Sequence, residues 1–473
     1  MDAREAAAPR AVPRARPPGP AGLRAIGQSL RFAKDPLGLL SGIARKYGDI
    51  ASFSLAGNPV YLVSHPDYVR EVLITQRAKF EVSALRERLE LVLGTGLLTS
   101  RGELHARQRR LMQPVFRKSR IDAYAGCMVN YARRTRDRWR PGAEIDVCGE
   151  MMKLTMAVVA KTLFDHDVEG DADRVSRNLT LLMSYFTRLM SPFLRYGVKL
   201  PLPATLKFRR ALRELDAVIY GMIAHRRQLP RGGEDLLSLL MRAEDDETNS
   251  AMTEKQLRDE LLTLFLAGHE TTANALTWTI WLLAQHPDAD AKVHAEAAAV
   301  LAGRERFDAG DADRLCYARK VIMEGLRLYP PAWFVGRTPI EEVRLGGYTI
   351  PKGAIVLLSQ YVSHRDGRFF DDPERFRPER WTEEFQQRLP RGAYFPFSAG
   401  DRHCIGEGFA WLEALLILAT LVERWRFELA PGQDVVPRPA VTLRPGAEVR
   451  VVVRLRDSST LRERPVCADP AMG

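Results

Sequence analysis

Cys404 stands in the run Phe397-Ser398-Ala399-Gly400-Asp401-Arg402-His403-Cys404-Ile405-Gly406. A cysteine set between glycines, with an arginine two residues before it, has the makings of a thiolate metal ligand. Such a ligand must be held still and kept dry. Glycines at 400 and 406 let backbone pass close to a flat group and aim N–H groups at the sulfur. Those N–H groups, with the start of a following helix, favour thiolate over thiol. Phe397 can shield the sulfur, and Arg402 can meet an anionic group. The plain alternative for a lone cysteine is a small buried hydrophobe. Cys127, Cys148, Cys316 and Cys467 are widely spaced and form no CxxC. Neither a disulfide framework nor a cysteine-rich metal cluster is expected, and a reducing compartment fits.

Three further constellations accompany the cysteine. Glu324 and Arg327 are i, i+3 on one helical face, directly before Leu328-Tyr329-Pro330-Pro331. Alone, such a pair is a surface ion bridge worth ~0.3 kcal/mol. Ala267-Gly268-His269-Glu270-Thr271-Thr272 sets an acid beside an alcohol in the middle of a helical run. Leu261, Leu262, Leu264, Phe265, Leu266, Trp278, Ile280 and Trp281 make that run apolar nearly all round, which argues burial and makes His269 and Glu270 costly unless used. His105 and Arg109 share a face at i, i+4, ahead of Pro114-Val115-Phe116.

Together these segments resemble the cytochrome P-450 family. The Cys404 run fits FxxGxRxCxG at every fixed position, Glu324 to Arg327 fits ExxR, and Ala267 to Thr271 fits (A/G)Gx(D/E)T. The resemblance covers about residues 18 to 456, with the motifs in family order. It implies a mainly α, minor β chain in a single large haem-thiolate monooxygenase fold. It implies heme b (iron protoporphyrin IX) with Cys404 as the iron ligand. His105, Arg109, Ala267, Gly268, Arg337, Phe397, Arg402 and Gly406 would then contact the cofactor. Gly268, which costs ~1 kcal/mol against Ala in mid-helix, would leave room for dioxygen and substrate. Thr271 and Glu270 would deliver protons with ordered water. Glu324 and Arg327 would be structural. The family's third cluster residue falls on Arg380, in Phe376-Arg377-Pro378-Glu379-Arg380-Trp381, although Pro373-Glu374-Arg375-Phe376 is a look-alike and Trp381 departs from the usual Phe.

The implied reaction inserts one oxygen atom from dioxygen into a C–H or C=C bond of a small apolar substrate. A peroxide-driven or isomerising haem-thiolate enzyme is the alternative, although such relatives often lack the acid–alcohol pair. A haem sensor without turnover would need no proton relay. By resemblance, residues 81–98, 181–225 and 333–335 line or cover the pocket. These include Leu91, Leu93, Leu97, Phe186, Leu189, Met190, Phe193, Trp333, Phe334 and Val335, a wall that suits an apolar molecule. General similarity to bacterial enzymes of secondary metabolism suggests a terpenoid, ahead of fatty acids or polyketides.

The elements that must position these residues follow from pattern. A helix over Leu39 to Tyr47 precedes strands Ile50 to Leu55 and Pro59 to Ser64, joined by a turn at Ala56-Gly57-Asn58. From Asp67 the chain reads as mostly helical, and three prolines in 191–204 forbid one continuous helix there. Helix resumes at Thr205, and an acidic loop spans Glu244 to Glu247. The long helix should start at Thr253, capped with Gln256, and end before His286-Pro287. Another spans Arg314 to Leu328, a hairpin covers Val343 to Ile350, and Leu412 to Val422 forms a last apolar helix. Residues 1–20 read as a disordered tail, 21–456 as the monooxygenase domain and 457–473 as a second tail.

The chain of 473 residues carries a formal net charge of +11 and a pI near 9.5. The arginines are scattered and no nucleic-acid motif is found, so nucleic acid is not expected as a partner. The simplest reading is an Arg-rich solvated surface, and the next is a docking face for an acidic protein. No secretory leader or spanning segment is read, which gives a cytoplasmic expectation with no integral membrane anchor. The chain ends at Gly473 soon after the Cys404 motif, so the electron donor is expected to be separate and soluble. A ferredoxin with its NAD(P)H reductase is the first choice and a flavodoxin the second. The expected basic docking residues are Arg107, Arg110, Arg117, Lys118, Arg402 and His403.

Overall fold

A computed structural model describes residues 16–20, 27–83, 89–165, 178, 181–182, 202–228, 235–245 and 250–456. The fold is mainly helical with small sheets. Eight helices matter for the site: α1 Pro36–Tyr47, α2 Gly102–Met112, α3 Ala125–Arg138, α4 Val147–Phe164, α5 Pro203–Gln228, α6 Glu254–Gln285, α7 Cys316–Leu328 and α8 Glu407–Arg424.

α6 is the axis of the molecule. Its 32 residues make it about 48 Å long. Thr253 accepts the Gln256 N–H at 3.2 Å and the Gln256 side chain accepts the Thr253 N–H at 2.9 Å, a complete capping box. His286-Pro287 ends the helix. Because α6 is apolar on nearly every face, it packs on α4, α5, α7 and α8 at once, and most of its side chains are buried. α8 is buried continuously from Leu412 to Val422 and packs against α3 and α7.

Eight strands serve the account: β1 Ile50–Leu55, β2 Asn58–Val63, β3 Phe80–Val82, β4 Glu144–Asp146, β5 Val335–Pro339, β6 Ile355–Leu358, β7 Trp425–Leu429 and β8 Arg450–Leu455. Ala56 and Gly57 both take positive φ, which matches a two-residue turn to the twist of the β1–β2 hairpin. The larger sheet runs β1-β2-β6-β5-β3, with β2–β6 parallel and the other pairs antiparallel. Its register puts Arg337 of β5 between Val356 and Val82. A second sheet runs β7-β8-β4.

Several expectations need correcting. The stretch after Asp67 contains β3, and β4 precedes α4; three residues are too few for alternation to register. The larger sheet adds β3, β5 and β6, which the pattern did not mark as strands, to the expected β1–β2 hairpin, whereas the expected Val343 to Ile350 hairpin stands as a separate two-stranded sheet. The expected acidic loop includes a short ladder in which Glu244 pairs with Ala251 and Asp245 with Ser250. The expected disordered tail reaches too far. Ser52 donates from Oγ to Pro17 O at 2.7 Å and from N to Pro18 O at 2.8 Å, so residues 17 and 18 lie on β1. Residues 457–473 lie outside the described residues. Among the described residues no helix is long and apolar enough to cross a membrane.

Candidate active site

The Cys404 loop folds on its own backbone before α8 begins. The Cys404 N–H donates to Phe397 O at 2.9 Å, and the His403 N–H to Gly400 O at 3.0 Å. Gly400 takes φ +68°, and a Cβ there would lie 2.0 Å from Leu73 O, so only glycine fits. The Phe397 ring packs on Trp411 with centroids 5.9 Å apart. The Cys404 side chain stays open on one side although protein surrounds it in depth. Burial pushes its thiol up to about 11; the Gly406 N–H and Arg109 pull it down, and Glu407 pushes it up. A bound cation would deprotonate it outright.

A cleft of about 630 Å³ opens beside this loop, lined by His105, Arg109, Arg337, Arg402, Leu73 and Phe80 among others. Arg109 donates to His403 O at 2.8 Å, which ties α2 to the cysteine loop. Arg402 donates to Leu97 O at 3.3 Å and Ser100 O at 2.7 Å. Arg337 donates to Gly336 O at 3.0 Å from its place in the sheet. Glu81 and Asp401 also reach the cleft, and Arg77 neutralises Asp401 at 2.8 Å. His105, Arg109, Arg337 and Arg402, from three separate stretches of chain, thus line one cleft, a donor set suited to an anionic edge.

α6 presents two different stripes. Ala267, Thr271 and Ala275, at i, i+4 and i+8, form one open to half-buried line in mid-helix, and the Thr271 hydroxyl donates to Ala267 O at 2.7 Å. Glu270, Asn274 and Trp278 form the second stripe, directed at residues 442–443. Thr442 Oγ1 donates to the Glu270 carboxylate and accepts from Asn274 Nδ2 at 3.1 Å, while Trp278 Nε1 donates to Leu443 O at 3.2 Å. Glu270 and Thr271 therefore lie on different stripes, because successive helical residues point about 100° apart. His269 donates from Nδ1 to Phe265 O at 2.7 Å, and burial holds its pKa below the usual histidine value. Gly268 is also explained differently from expectation. A Cβ there would lie 3.2 Å from Val159 Cγ2, so the glycine allows α4 to approach α6 closely.

Glu324, Arg327 and Arg380 meet in one buried cluster. Arg327 reaches both Glu324 oxygens at 2.9 Å, and Arg380 Nε reaches Oε1 at 3.0 Å. The Arg377 N–H and the Trp381 indole N–H complete the shell, each at 2.9 Å. One carboxylate faces two guanidiniums, and the carbonyls of Asp371, Asp372, Pro373, Arg375 and His364 take up the remaining donors. Arg375 of the look-alike segment contributes only its carbonyl. His364, held neutral by burial and the nearby Arg327 and Arg365, accepts the Phe395 N–H at Nε2 at 3.0 Å. It thereby joins this cluster to the start of the cysteine loop. His364, Asn274 and Thr442 carry no motif signal, and Trp381 stood out only as a departure from the usual Phe; their roles arise from long-range contacts.

The expected pocket wall fares unevenly. Trp333 and Val335 belong to the apolar cores on either side of the larger sheet, a correction. Trp333 meets Phe334 edge-on and Phe32 at a tilt, and donates its indole N–H to Ala440 O at 3.1 Å. Phe334, between them, is half-buried. Leu93 and Leu97 are buried and Leu91 is exposed. Phe186, Leu189, Met190 and Phe193 lie outside the described residues. Among the expected docking cations, Arg107 is tied to Ser250 and Ala251 at 2.9–3.1 Å, and Lys118 pairs with Asp122 at 3.5 Å and Asp313 at 3.9 Å. His403 pairs with Glu407 at 2.7 Å. Arg110 and Arg117 are exposed.

These residues fit a haem. Cys404 supplies a soft donor that is open on one side. A Cβ on Gly406 would meet only the Phe116 ring, at 3.9 Å, so the backbone that aims its N–H at the sulfur is uncrowded. The basic cleft wall suits carboxylate substituents.

The family model described as Cytochrome P450 matches residues 17–448. Cyclooctatin synthase of Streptomyces melanosporofaciens is 40% identical over 429 residues, covering 90% of this chain and 93% of that protein. Pentalenene oxygenase of Streptomyces avermitilis is 32% identical, covering 90% and 94%. The cytochrome P450DA heme domain superposes with a TM-score of 0.85 at 25% identity, covering 95% of this chain and 98% of that one. A retinoic-acid-bound cyanobacterial CYP120A1 gives 0.84 at 28% identity, covering 93% and 99%.

Proposed function

The chain belongs to the cytochrome P450 family, and we propose that its substrate is a small apolar terpenoid, oxidised on a haem that Cys404 ligates. As a family member it is an oxidoreductase of the monooxygenase type with a haem-thiolate cofactor. The open thiol of Cys404, with the Gly406 N–H aimed at it, is the observation that carries the assignment of the ligand.

Bound haem b would activate dioxygen, sending one oxygen atom to substrate and the other to water. The protein's part is ligation, orientation and proton control. Gly406 N–H and the first turn of α8 stabilise negative charge on sulfur. Arg109, Arg337, Arg402 and His105 hold the propionate edge. The buried Glu324–Arg327–Arg380 cluster fixes, through His364, the segment leading into the cysteine loop. Thr271 on the open stripe keeps a hydroxyl available to water and dioxygen, while Ala267 leaves room beside it. Glu270, held by Thr442, which Asn274 holds in turn, is the reserve proton donor and reaches the open stripe by leaving Thr442.

A terpenoid substrate is supported by the names of relatives, among them cyclooctatin synthase, a cyclooctat-9-en-7-ol 5-monooxygenase and a pentalenene oxygenase. Electrons would come from a separate ferredoxin and its NAD(P)H reductase, docked near the exposed Arg110 and Arg117 in the cytoplasm. Rising salt shortens the screening length to ~8 Å near ~0.15 M and would slow that encounter.

The test is to titrate the haem-loaded protein with pentalenene and cyclooctat-9-en-7-ol, following the haem absorption spectrum. Turnover is then run with ferredoxin, reductase, NADPH and isotopically labelled dioxygen. A spectral change and a product carrying one labelled oxygen support the reading. Fatty acids perturbing the spectrum while every terpenoid fails would contradict the substrate class.

A further inference from the structure

Residues 94–100 form a strap between α6 and the cysteine loop. Its inner edge lies against α6 with glycine backbone at two points, and Thr95 Oγ1 adds a long contact to Asp259 Oδ2 at 3.5 Å. Gly94 takes φ +58°, and a Cβ there would lie 2.2 Å from an Asp259 carboxylate oxygen. A Cβ on Gly96 would lie 2.2 Å from Thr263 Oγ1 and 2.6 Å from Asp259 O. This closeness brings strap N–H groups onto two adjacent acids. Thr95 N–H donates to Asp259 Oδ2 at 3.0 Å, and Leu97 N–H to Glu260 Oε2 at 2.8 Å. On the other edge, Leu97 O and Ser100 O accept from Arg402, at 3.3 and 2.7 Å. Gln108 of α2 holds Thr95 O at 2.7 Å, and Thr99 Oγ1 closes the strap on Gly94 O at 2.7 Å.

The two acids differ. Asp259 is neutralised by Lys255 at 2.6 Å and Arg258 at 2.9 Å. Glu260 is fully buried, its Oε1 has no hydrogen-bond partner among the described residues, and no cation is paired with it there. Its one recorded contact is the Leu97 N–H. A buried carboxyl without a cation is costly, and here it is spent on the residue whose carbonyl Arg402 grips.

We propose that Glu260 is a positioning residue: through Leu97 it fixes the 94–100 strap, and the strap sets the Arg402 guanidinium on the cleft wall two residues before Cys404. The inference rests on the reading that Arg402 faces the haem edge. Glu260 thus couples the N-terminal part of α6 to cofactor retention without touching the cofactor. The carboxyl is needed only as an acceptor, so glutamine can replace it and leucine cannot.

The experiment uses the haem-loaded protein and compares Glu260→Leu, Glu260→Gln and Gly96→Ala. Amide hydrogen exchange reads the strap, and transfer of haem to an excess of apomyoglobin reads retention. Glu260→Leu should raise exchange at 95–100 and speed haem release, each by about tenfold, as expected for one lost buried acceptor. Glu260→Gln should restore both. Gly96→Ala, which pushes the strap off α6 and leaves both acids intact, should speed release likewise, and it carries the test if Glu260→Leu does not fold. A strap that loosens in Glu260→Leu or Gly96→Ala while haem release stays at the wild-type rate overturns the proposal, as does an unchanged strap in Glu260→Leu. The thiolate-type spectrum of the same preparations reports separately whether the Cys404 reading stands.

Discussion

Replacing Glu324 with glutamine keeps the side chain's shape and removes its charge. The consequence follows from the five donors around it: Arg327 twice, Arg380, the Arg377 N–H and the Trp381 indole, all at 2.9–3.0 Å. All three charged side chains are excluded from water. Glu324→Gln leaves two buried guanidiniums with no anion, and the new NH2 group faces donors. Breaking a buried pair from one side costs ~3–5 kcal/mol, against a whole-domain stability of ~5–15 kcal/mol. At least about a fifth of the margin should vanish. Trp381→Phe supplies the calibration, since it removes one donor to the carboxylate and leaves the charges paired, and it should cost about 1.5–3 kcal/mol. Urea unfolding and haem content per chain measure both variants. A Glu324→Gln protein within about 1 kcal/mol of wild type, or no worse than Trp381→Phe, would refute the claim that this cluster holds the proximal loop in place.

Gly400→Ala should be poorly tolerated, because its φ is +68° and its Cβ would lie 2.0 Å from Leu73 O; left-handed backbone alone costs ~1–2 kcal/mol, and haem content near the wild-type value would count against this geometry. Thr271→Ala should cost under about 1 kcal/mol of stability, its hydroxyl being half-exposed and bonded only within the helix, yet raise the peroxide released per NADPH consumed; an unchanged ratio would remove Thr271 from proton delivery. Burial first, then Asp259, lifts the Glu260 carboxyl from 4.5 to about 8 against the pull of the Leu97 N–H. A pKa raised by folding means that the native state holds the proton more tightly than the unfolded chain. Stability from this group is therefore present below pH ~4.5 and is lost as pH rises to ~8, by at most roughly 5 kcal/mol. Urea unfolding of wild type and Glu260→Gln from pH 5 to 9 should show that slope only in wild type, and parallel curves would show that Glu260 is already ionised.

What could be read in advance was local. The Cys404 run, the i, i+3 spacing of Glu324 and Arg327 and the capped start of α6 are set by residues within a few positions of one another. Arg380 was reachable only because Phe-x-Pro precedes it. Contacts between distant segments left no trace in spacing. Trp381 looked like a departure from pattern, yet its indole N–H completes the shell of Glu324, 57 residues away. Glu270 looked like the partner of Thr271 because they are adjacent in sequence, yet it turns to Thr442, 172 residues on. Gly268 suggested open space and proved to be a close approach of two helices, since a missing side chain does not say what occupies the gap. Trp333 is apolar wherever it sits, so composition could not separate pocket wall from core.

The central claim is that Cys404 is the protein's iron ligand. Its most direct test is the absorption spectrum of the reduced, carbon monoxide-treated protein, wild type against Cys404→Ala, each reconstituted with haem b. Wild type should give the long-wavelength band that thiolate ligation produces, and Cys404→Ala should lose it while its far-ultraviolet circular dichroism stays helical. A thiolate-type band that survives in Cys404→Ala would contradict the account at its root.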